Sequence, residues 1–256
     1  MKTVAIIQAR MGSNRLPGKV LRPILGKPML WYIVRRVRAV PLIDEVVVAI
    51  PDGPTDEELR KFCAANDIAH FSGSELDVLD RFYRAAQQHS ADPVLRITAD
   101  CPLVDPELVE KLISKYRSGG YDYAAVSAGA DASRTEGGCF PDGMDAECFN
   151  FASLEKAWKE AQDPRDREHV TRFIWRRKGL FRCTKLMADR EYHHLRLTVD
   201  YPQDFEVASR IYKRLFREDR IFHLSDIVDL LEREPEIIKP NEHLVEGQHY
   251  RAVLEE

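Results

Sequence analysis

The chain has 256 residues, with 38 Lys and Arg against 42 Asp and Glu, and 44% of its residues are hydrophobic. This length suffices for one large α/β domain, and the balanced charge argues against a nucleic-acid partner, which would favour a strongly basic domain. No apolar run approaches the roughly 18 residues that span a bilayer, and Gln8 and Arg10 interrupt the first run too early for a signal peptide, so we expect a cytoplasmic protein without a membrane segment.

The first half of the chain alternates short β-branched runs with amphipathic segments. Near-continuous apolar runs, typical of strands covered on both faces, predict strands at residues 3–7, 45–50, 68–71, 94–99 and 123–126. Apolar residues at helical spacing predict helices at residues 28–37, 55–66, 76–89 and 106–117. This β-α-β-α order predicts a mainly parallel central sheet flanked by helices.

Capping patterns mark several helix ends. Thr55 with Glu58 has the spacing of a capping box, and Ser74 with Asp77 resembles one. Gly119 follows the fourth helix where a glycine in the left-handed conformation belongs.

The second half is less regular. After a glycine-rich loop at 136–142, the pattern predicts helices near 153–162, 167–177, 202–216 and 224–233, the last capped by Ser225, and strands near 181–186 and 195–199. We expect residues 1–234 to form a single α/β domain and residues 235–256 to form a tail that packs on the domain or on a partner subunit.

The first predicted strand leads into a cationic turn, QARMGSNRLPGKV, at residues 8–20. The turn contains Arg10, Arg15 and Lys19 and no acidic residue. Glycine lets backbone N–H groups approach a phosphate closely, and guanidinium groups donate charge-assisted hydrogen bonds to its oxygens, so this composition suits a polyphosphate. The phosphate loop G-x-x-x-x-G-K-[ST] does not match, because five residues separate the two glycines and Val20 replaces the hydroxyl residue that would bind magnesium.

Two aspartates that each end an apolar run are candidates for the missing magnesium ligands. Asp100 ends RITAD and Asp200 ends RLTVD, both in the pattern Arg, apolar, Thr, apolar, Asp. A single aspartate in such a place is more often a helix cap, but two of them in a chain with a cationic turn favour Mg²⁺, which prefers hard oxygen ligands. A zinc site or a disulfide framework is not expected, since the five cysteines are scattered without a C-x-x-C pair.

Several segments together carry a family resemblance: IIQARMGSNRLPGKVLRPILGKPML, FSGSELDVLDRF, LRITADCPLVDP, PDGMDAE, DREHVTRFI and LTVDYPQDF. In this order they resemble the cytidylyltransferase family of spore coat polysaccharide biosynthesis proteins, which is related to the CMP-sialic acid and CMP-Kdo synthetases. The resemblance spans residues 3–210. It implies a Rossmann-like α/β nucleotidyltransferase fold and the transfer of CMP from CTP to an acceptor, with release of pyrophosphate.

The resemblance also implies residue roles. Arg10, Lys19 and Asp100 would be catalytic, and Asp100 and Asp200 would hold Mg²⁺. The implied nucleotide contacts are Gln8, Ala9, Arg10, Met11, Gly12, Ser13, Arg15, Lys19, Gly73, Ser74, Asp77, Arg81 and Ala99. The acceptor candidates are Asp142, Asp145, Glu147, Arg167, Glu168, His169 and Arg196.

Some of these assignments have competing structural interpretations. Residues 72–81 also fit a capped amphipathic helix, and a histidine such as His169 among charged residues is more often solvated than catalytic. The acceptor residues of the sialic acid and Kdo enzymes do not map cleanly onto this chain, so the sugar stays open.

The leading hypothesis is a Mg²⁺-dependent cytidylyltransferase that activates a sugar or sugar acid for surface polysaccharide assembly, and the resemblance implies a homodimer. Lys19→Ala should then lower turnover about a hundredfold with little loss of melting temperature. One alternative keeps the chemistry with another nucleotide or with a phosphonate or phosphorylated acceptor. Another is a non-catalytic nucleotide-binding accessory protein, which would not need both aspartates.

Overall fold

The computed structural model of the protein describes residues 1–126, 139–177 and 179–245. The strands are β1 (Val4–Gln8), β2 (Pro23–Ile24), β3 (Lys27–Pro28), β4 (Glu45–Pro51), β5 (Ala69–Gly73), β6 (Val94–Thr98), β7 (Tyr123–Val126), β8 (Glu147–Phe149) and β9 (Cys183–Leu186). The α-helices are α1 (Met29–Arg38), α2 (Glu57–Ala65), α3 (Val78–Gln88), α4 (Pro106–Gly119), α5 (Phe151–Glu160), α6 (Pro164–Glu168), α7 (Arg172–Arg176), α8 (Pro202–Leu215), α9 (Leu224–Arg233) and α10 (Glu242–Val245). Short 3₁₀ helices lie at Lys19–Leu21, Pro54–Asp56 and Pro235–Ile237.

Seven strands form one sheet in the order β5-β4-β1-β6-β8-β7-β9. β1 pairs in parallel with β4 and β6, β4 with β5, and β7 with β9, whereas β8 runs antiparallel to both of its neighbours. The prediction of a mainly parallel sheet is confirmed. The short antiparallel pair β2-β3 stands apart from this sheet and has no counterpart in the predicted elements.

Apolar layers cover both faces of the sheet. Along β1, Ala5 and Ile7 join the layer formed with α1, α2, α4, α8 and α9, while Val4 and Ile6 join the layer formed with α3, α5 and α7. Successive side chains of a strand point to opposite faces, so a strand buried on both sides needs an unbroken apolar run. This is why TVAII and EVVVAI can be recognised as strands.

The carboxyl edge of the sheet brings together two segments that lie far apart in the sequence. Gln8 at the end of β1 pairs with Thr98 at the end of β6. Because these strands are adjacent and parallel, the cationic turn after β1 and Asp100 after β6 leave the sheet side by side. Open α/β sheets bind ligands at this edge.

The predicted strand at 195–199 is wrong. This segment makes a single isolated bridge, between Asp142 and Arg196, and its N–H groups find loop partners: Leu197 N–H donates to the Asp142 carbonyl at 2.7 Å and Val199 N–H to the Asp100 carbonyl at 2.7 Å. Leu195, Leu197 and Val199 are buried in the core, although their segment is not a strand of the sheet. These bonds hold Asp200 close to Asp100.

The predicted helix over 167–177 is also wrong, because the chain breaks it into α6 and α7. Val170 adopts a left-handed conformation with φ 54°, and the Thr171 hydroxyl donates to the Glu147 carboxylate at 2.6 Å. As a result, His169 and Thr171 lie between the two helices and not within one continuous helix.

The caps at the start of α2 and α3 differ from the predicted ones, although one predicted hydrogen bond is present. Thr55 does not cap α2, since Pro54–Asp56 forms a 3₁₀ turn, and the Asp56 carboxylate accepts the Met11 N–H at 2.7 Å. Ser74 does accept the Asp77 N–H at 3.0 Å as predicted, but Asp77 itself is the N-cap of α3.

Two more caps move by one or two residues. Gly120, with φ 60°, takes the left-handed position that the sequence predicts for Gly119, because α4 runs on through Gly119. Ser225 lies within the first turn of α9, and the cap is formed by His223, whose N–H donates to the Asp226 carboxylate at 2.8 Å.

The segment after α9 packs on the body of the protein as far as Asn241. Ile237 and Asn241 are buried, at 3% and 1% exposure. Residues 246–256 of the expected tail and residues 136–138 of the expected glycine-rich loop lie outside the described residues. Every helix in the described ranges is too short or too polar to cross a membrane.

Candidate active site

A cleft of about 390 Å³ opens at the carboxyl edge of the sheet, between the cationic turn and the two aspartates. Its walls are formed by Gln8, Ala9, Arg10, Ser13, Asn14, Arg15, Lys19, Val20, Thr98, Ala99, Asp100 and Asp200. The fold therefore places the predicted phosphate turn and both predicted metal ligands around one space. Asn14 also lines the cleft, although no motif in the sequence singles it out.

Backbone hydrogen bonds and the Asp56 carboxylate fix the conformation of the cationic turn. The Met11 carbonyl accepts N–H groups from Ser13 at 2.9 Å and Gly18 at 3.0 Å, and the Met11 N–H donates to Asp56 at 2.7 Å. Gly18 has φ 68°, a conformation that favours glycine, and the 3₁₀ helix that follows begins at Lys19. Asp56 is therefore an anchor of the turn that the sequence does not reveal, since 45 residues separate it from Met11.

Other predicted nucleotide contacts lie along the same edge. Ala9 N–H donates to the Ala49 carbonyl at 3.2 Å and Ala99 N–H to the Gln8 carbonyl at 2.9 Å, which fixes the floor of the cleft. Gly73 ends β5, two strands from β1, where an added Cβ would crowd Phe71 and Arg81.

Arg81 is a buried cation near the turn. Its guanidinium donates to the Ser74 carbonyl, and its Nε is buried with no hydrogen-bond partner within the described ranges. Burial, followed by the positive charge of Arg10, lowers the pKa of Arg81 to about 10. Arg10 itself is exposed in the cleft. An anion bound beside Arg10 would offset the repulsion between the two guanidinium groups.

Lys19 joins the two candidate metal ligands. Its side chain is only 10% exposed, and its ammonium lies 2.7 Å from the Val199 carbonyl, 3.0 Å from Asp200 Oδ1 and 3.5 Å from Asp100 Oδ2. The two carboxylates therefore share one positive charge.

Asp200 contacts more cations than Asp100 does. Arg15 lies 2.8 Å from its Oδ1, and Arg196 lies 3.3 Å from its Oδ2. Burial alone would raise the pKa of Asp200, but the charges of Lys19, Arg15 and Arg196 outweigh that effect and lower it. Asp100 is freer, since its side chain is 32% exposed and faces the cleft.

The donor set fits a hard divalent cation. Two carboxylates converge on one ammonium group, and carboxylate oxygen is a preferred ligand of Mg²⁺. Asp100 can reach such an ion directly. Asp200 can do so only when Lys19 or Arg15 turns away, because both of its oxygens now contact cations.

The predicted acceptor role of Arg196 is not supported by its surroundings. Its side chain is 4% exposed, and its guanidinium bonds Asp142 at 2.7 Å, Asp200 at 3.3 Å and Asp204 at 3.0 Å. Burial alone would lower the pKa of Arg196, but these carboxylates raise it, so the charge is permanent. Arg196 holds three acids in place with four of its five N–H groups, which leaves it little capacity to bind a ligand. Asp142, one of the predicted acceptor residues, is paired with it.

The predicted acceptor role of Arg167 and the predicted nucleotide role of Asp77 are also not supported, because the two side chains bind each other. Arg167 donates to both oxygens of Asp77, with Nη2 at 2.6 Å from Oδ2, and its Nη1 donates to the Trp158 carbonyl at 2.7 Å. The Asp77 carboxylate also accepts the Asp80 N–H at 2.9 Å as the cap of α3. The pair therefore fastens α6 to the start of α3.

Glu147 is the centre of a polar cluster on the sheet. It accepts hydrogen bonds from Arg96, from the Tyr123 hydroxyl at 2.5 Å and from the Thr171 hydroxyl at 2.6 Å. Arg96 also donates to the Gln8 side chain at 3.3 Å, which links the cluster to the cleft. Arg96, Tyr123 and Thr171 lie on separate segments, so no local spacing in the sequence predicts this group.

Glu168 and His169 are exposed at the end of α6. The surrounding protein atoms lower the pKa of His169, an effect that the charge of Glu168 opposes and the charges of Arg96 and Arg172 support, so folding favours the neutral imidazole. A neutral, exposed imidazole can both donate and accept a hydrogen bond.

Asp145 lies among other acids. Its Oδ2 accepts the Gly143 N–H at 2.9 Å. Burial, followed by the negative charges of Asp142, Asp100 and Glu147, raises the pKa of Asp145 to about 7. Folding therefore favours the protonated form of this carboxyl group.

We predict that Asp145→Asn stabilises the protein at high pH. A carboxyl group whose pKa is raised by folding contributes stability at low pH and loses that contribution as the pH rises through about 7. The neutral amide avoids this loss, so the melting temperature should exceed that of the wild type at about pH 8, and the difference should vanish near pH 4. Thermal unfolding across this range tests it, and equal melting temperatures at the higher pH would contradict it.

Gly143 is required by its conformation and by its neighbours. It has φ 101°, and an added Cβ would collide with the backbone of Leu197 and Thr198. We predict that Gly143→Ala lowers the free energy of unfolding by about 3 kcal/mol, the sum of backbone strain and a backbone clash.

Gly26→Ala is the matched control for that change. Gly26 has φ 81° and open space around its Cβ position, so only the strain, about 1 kcal/mol, is expected. Chemical denaturation of both variants measures the difference, and an equal loss would rule out the clash.

Nearly the whole chain matches a known protein family. The family model described as cytidylyltransferase matches residues 4–234. An uncharacterized protein of Methanocaldococcus jannaschii is 34% identical over 260 aligned positions, which cover 100% of both chains. The spore coat polysaccharide biosynthesis protein SpsF of Bacillus subtilis is 33% identical and is covered over 94% of its length, with 90% of this chain.

Solved structures agree with the fold. A cytidylyltransferase from Leptospira borgpetersenii has a TM-score of 0.83 at 26% identity, with 93% of this chain and 97% of that chain covered. A CMP-Kdo synthetase solved with CTP has a TM-score of 0.63 at 19% identity over 84% of this chain and 100% of that chain, a level of identity that shows the fold alone. By the match over nearly its whole length, this chain is a nucleotidyltransferase and belongs to the cytidylyltransferase family.

Proposed function

We propose that the protein transfers CMP from CTP to a sugar or sugar-acid acceptor, with release of pyrophosphate and with Mg²⁺, in surface polysaccharide synthesis. One observation carries this proposal: the cationic turn and the carboxylates of Asp100 and Asp200 face the same cleft, where Lys19 joins them. The relatives support this proposal. They include 3-deoxy-manno-octulosonate cytidylyltransferases, whose name indicates cytidylyl transfer to a sugar acid, and SpsF, a protein of spore coat polysaccharide biosynthesis.

The triphosphate would bind along the cationic turn. Arg10 already faces the cleft, and Arg15 and Lys19 are held there by Asp200. Phosphate oxygens would draw Arg15 and Lys19 away from Asp200, and the carboxylate so released would become available to a metal ion. Binding thus exchanges one set of ion pairs for another and leaves neither the cations nor the acids uncompensated.

Asp100 and Asp200 are the residues that would hold magnesium. Bound there, the ion would supply Lewis-acid polarisation of the phosphate oxygens. Arg10 and Lys19 would neutralise the charge that develops on the leaving pyrophosphate, in a site where preorganised donors need not reorient.

The transfer is a direct displacement at phosphorus. An oxygen of the acceptor attacks the α-phosphorus of CTP, the bond from that phosphorus to the bridging oxygen breaks, and pyrophosphate leaves with the electron pair. The acceptor oxygen loses its proton, if it has one, to a base in the site or to solvent. This step needs no covalent nucleophile on the protein.

Glu168, His169 and Asp145 are the predicted acceptor residues that we propose to contact the acceptor. Arg167 and Arg196 are committed to carboxylates, whereas Glu168 and His169 are exposed. Asp145, with its raised pKa, can donate a hydrogen bond from its protonated form. These groups suit the hydroxyls of a sugar.

Pyrophosphate release tests the proposal directly. The purified protein would be incubated with CTP, Mg²⁺ and a panel of sugars, sugar acids and phosphonates, and release with CTP and a sugar or sugar acid is expected. Thermal shift with CTP, GTP, UTP and ATP would rank the donors, because a ligand at 100 times its Kd adds about 2.7 kcal/mol. A preference for another nucleotide, or no release with any pair, would contradict it, and equal CTP binding with and without Mg²⁺ would favour a non-catalytic accessory protein.

We also propose, on the family resemblance, a cytoplasmic homodimer. Light scattering at micromolar concentration should give twice the 29.5 kDa mass of the chain. A monomer mass would refute the dimer.

A further inference from the structure

Asn241, in the C-terminal segment, contacts two residues that hold Asp200. Asn241 lies beyond residue 234, where the family match ends, yet it is 1% exposed. Its Nδ2 donates to the Arg196 carbonyl at 3.0 Å and to Asp204 Oδ1 at 2.9 Å. Both partners are acceptors, so the amide group must present its two N–H bonds to them.

Those partners hold Asp200 from two directions. Asp204 is buried, and its Oδ2 accepts the backbone N–H groups of Asp200 at 3.0 Å and Tyr201 at 2.9 Å. Arg196 bonds both oxygens of Asp204 and also contacts Asp200 Oδ2 at 3.3 Å. Asp204 thus fixes the backbone of Asp200, and Arg196 fixes its carboxylate.

We infer that Asn241 is a positioning residue for Asp200, so that the segment after residue 234 completes the active site. Without its amide, the buried Arg196 carbonyl loses a donor, and Asp204 Oδ1 keeps only its contact with Arg196. A buried acceptor without a partner is costly, so the arginine and the aspartate would shift to find one. Asp200 would shift with them, since its N–H and its carboxylate are bonded to both. This inference rests on the proposed function, in which Asp200 acts on the CTP complex.

Three variants separate positioning from packing. Asn241→Asp keeps the size of the side chain but turns two acceptor oxygens toward two acceptors, whereas Asn241→Ala removes the contacts altogether. Lys239→Ala changes an exposed residue of the same segment and serves as the control. If Asn241→Asp does not fold, Asn241→Ser replaces it as the second test.

Two readouts are needed. Hydrogen exchange of the Asp200 and Tyr201 amides, measured without ligand, should show loss of protection in Asn241→Ala, greater loss in Asn241→Asp and no change in Lys239→Ala. Calorimetric titration with CTP should show Kd in the presence of Mg²⁺ rising about tenfold, as for other groups that orient metal ligands, while Kd without Mg²⁺ stays the same.

The outcomes distinguish this inference from the proposed function. Unchanged protection in both Asn241 variants, or lost protection with unchanged CTP affinity in Mg²⁺, would overturn the positioning role. An equal loss in CTP affinity with and without Mg²⁺ would also overturn it, because that pattern indicates a general disturbance of the fold. If the wild type binds no CTP at all, the proposed function fails, and the exchange data still decide whether Asn241 orders the backbone at Asp200.

Discussion

Replacing Asp100 by Asn is expected to lower CMP transfer about a thousandfold while the melting temperature changes little. Asp100 is the candidate metal ligand whose side chain is exposed to the cleft, at 32%, and its contact with Lys19 is long at 3.5 Å. The fold therefore gains little from its charge, since partly exposed ion pairs are weak. A charge-stabilising group of several kcal/mol in the transition state corresponds to about three powers of ten in rate.

The measurement is turnover of Asp100→Asn with the acceptor that supports pyrophosphate release, beside its melting curve. Asp219→Asn, an exposed position after α8, is the control for the loss of one negative charge. Calorimetric titration with CTP should show that Mg²⁺ no longer improves binding. Turnover within tenfold of the wild type would exclude Asp100 as a metal ligand.

The parts of the fold that sequence predicts are those whose signal is local. TVAII and EVVVAI are nearly continuous apolar runs because both strands are covered on both faces, whereas Arg96 and Thr98 interrupt VLRITA. The first-half helices fall within two residues of their predicted ends. Asp100 and the turn at residues 8–20 could be identified because each directly follows such a strand. Their proximity then follows from the parallel pairing of β1 with β6.

Residues whose partners lie far along the chain could not be predicted. From the sequence alone, an arginine such as Arg196 or Arg167 is expected at the surface. Only the fold shows that the distant Asp142 pairs with Arg196 and that Asp77 pairs with Arg167. The strand-like pattern at 195–199 is equally ambiguous, because alternating apolar residues indicate burial but do not indicate the partners of the backbone hydrogen bonds. Such interactions explain why some acceptor residues that the motifs propose are not groups that a ligand can reach.

Lys19 shows how burial changes a prediction. From the sequence, loss of this amino group should reduce turnover without affecting stability, as for a solvated cation. The structure gives the ammonium a hydrogen bond of 2.7 Å to the Val199 carbonyl and contacts with two carboxylates, in a side chain 10% exposed. Its removal leaves Val199 without this donor and brings Asp100 and Asp200 together without the charge between them.

We therefore expect Lys19→Met to lower turnover about a hundredfold, from the loss of a preorganised cation, and also to lower the free energy of unfolding by about 2 kcal/mol. The stability loss stays moderate because Arg15 and Arg196 still pair with Asp200. Methionine keeps the length of the side chain, so packing changes least.

Lys61→Met, at a side chain 73% exposed on α2, is the control for loss of a lysine charge. Steady-state turnover and urea denaturation of the two variants measure both effects. A large loss of turnover with unchanged stability would mean that Lys19 serves the triphosphate alone, and a loss of stability with unchanged turnover would mean that it serves only to hold the two aspartates. Loss of both is the result that a lysine shared between the acids and the phosphates requires.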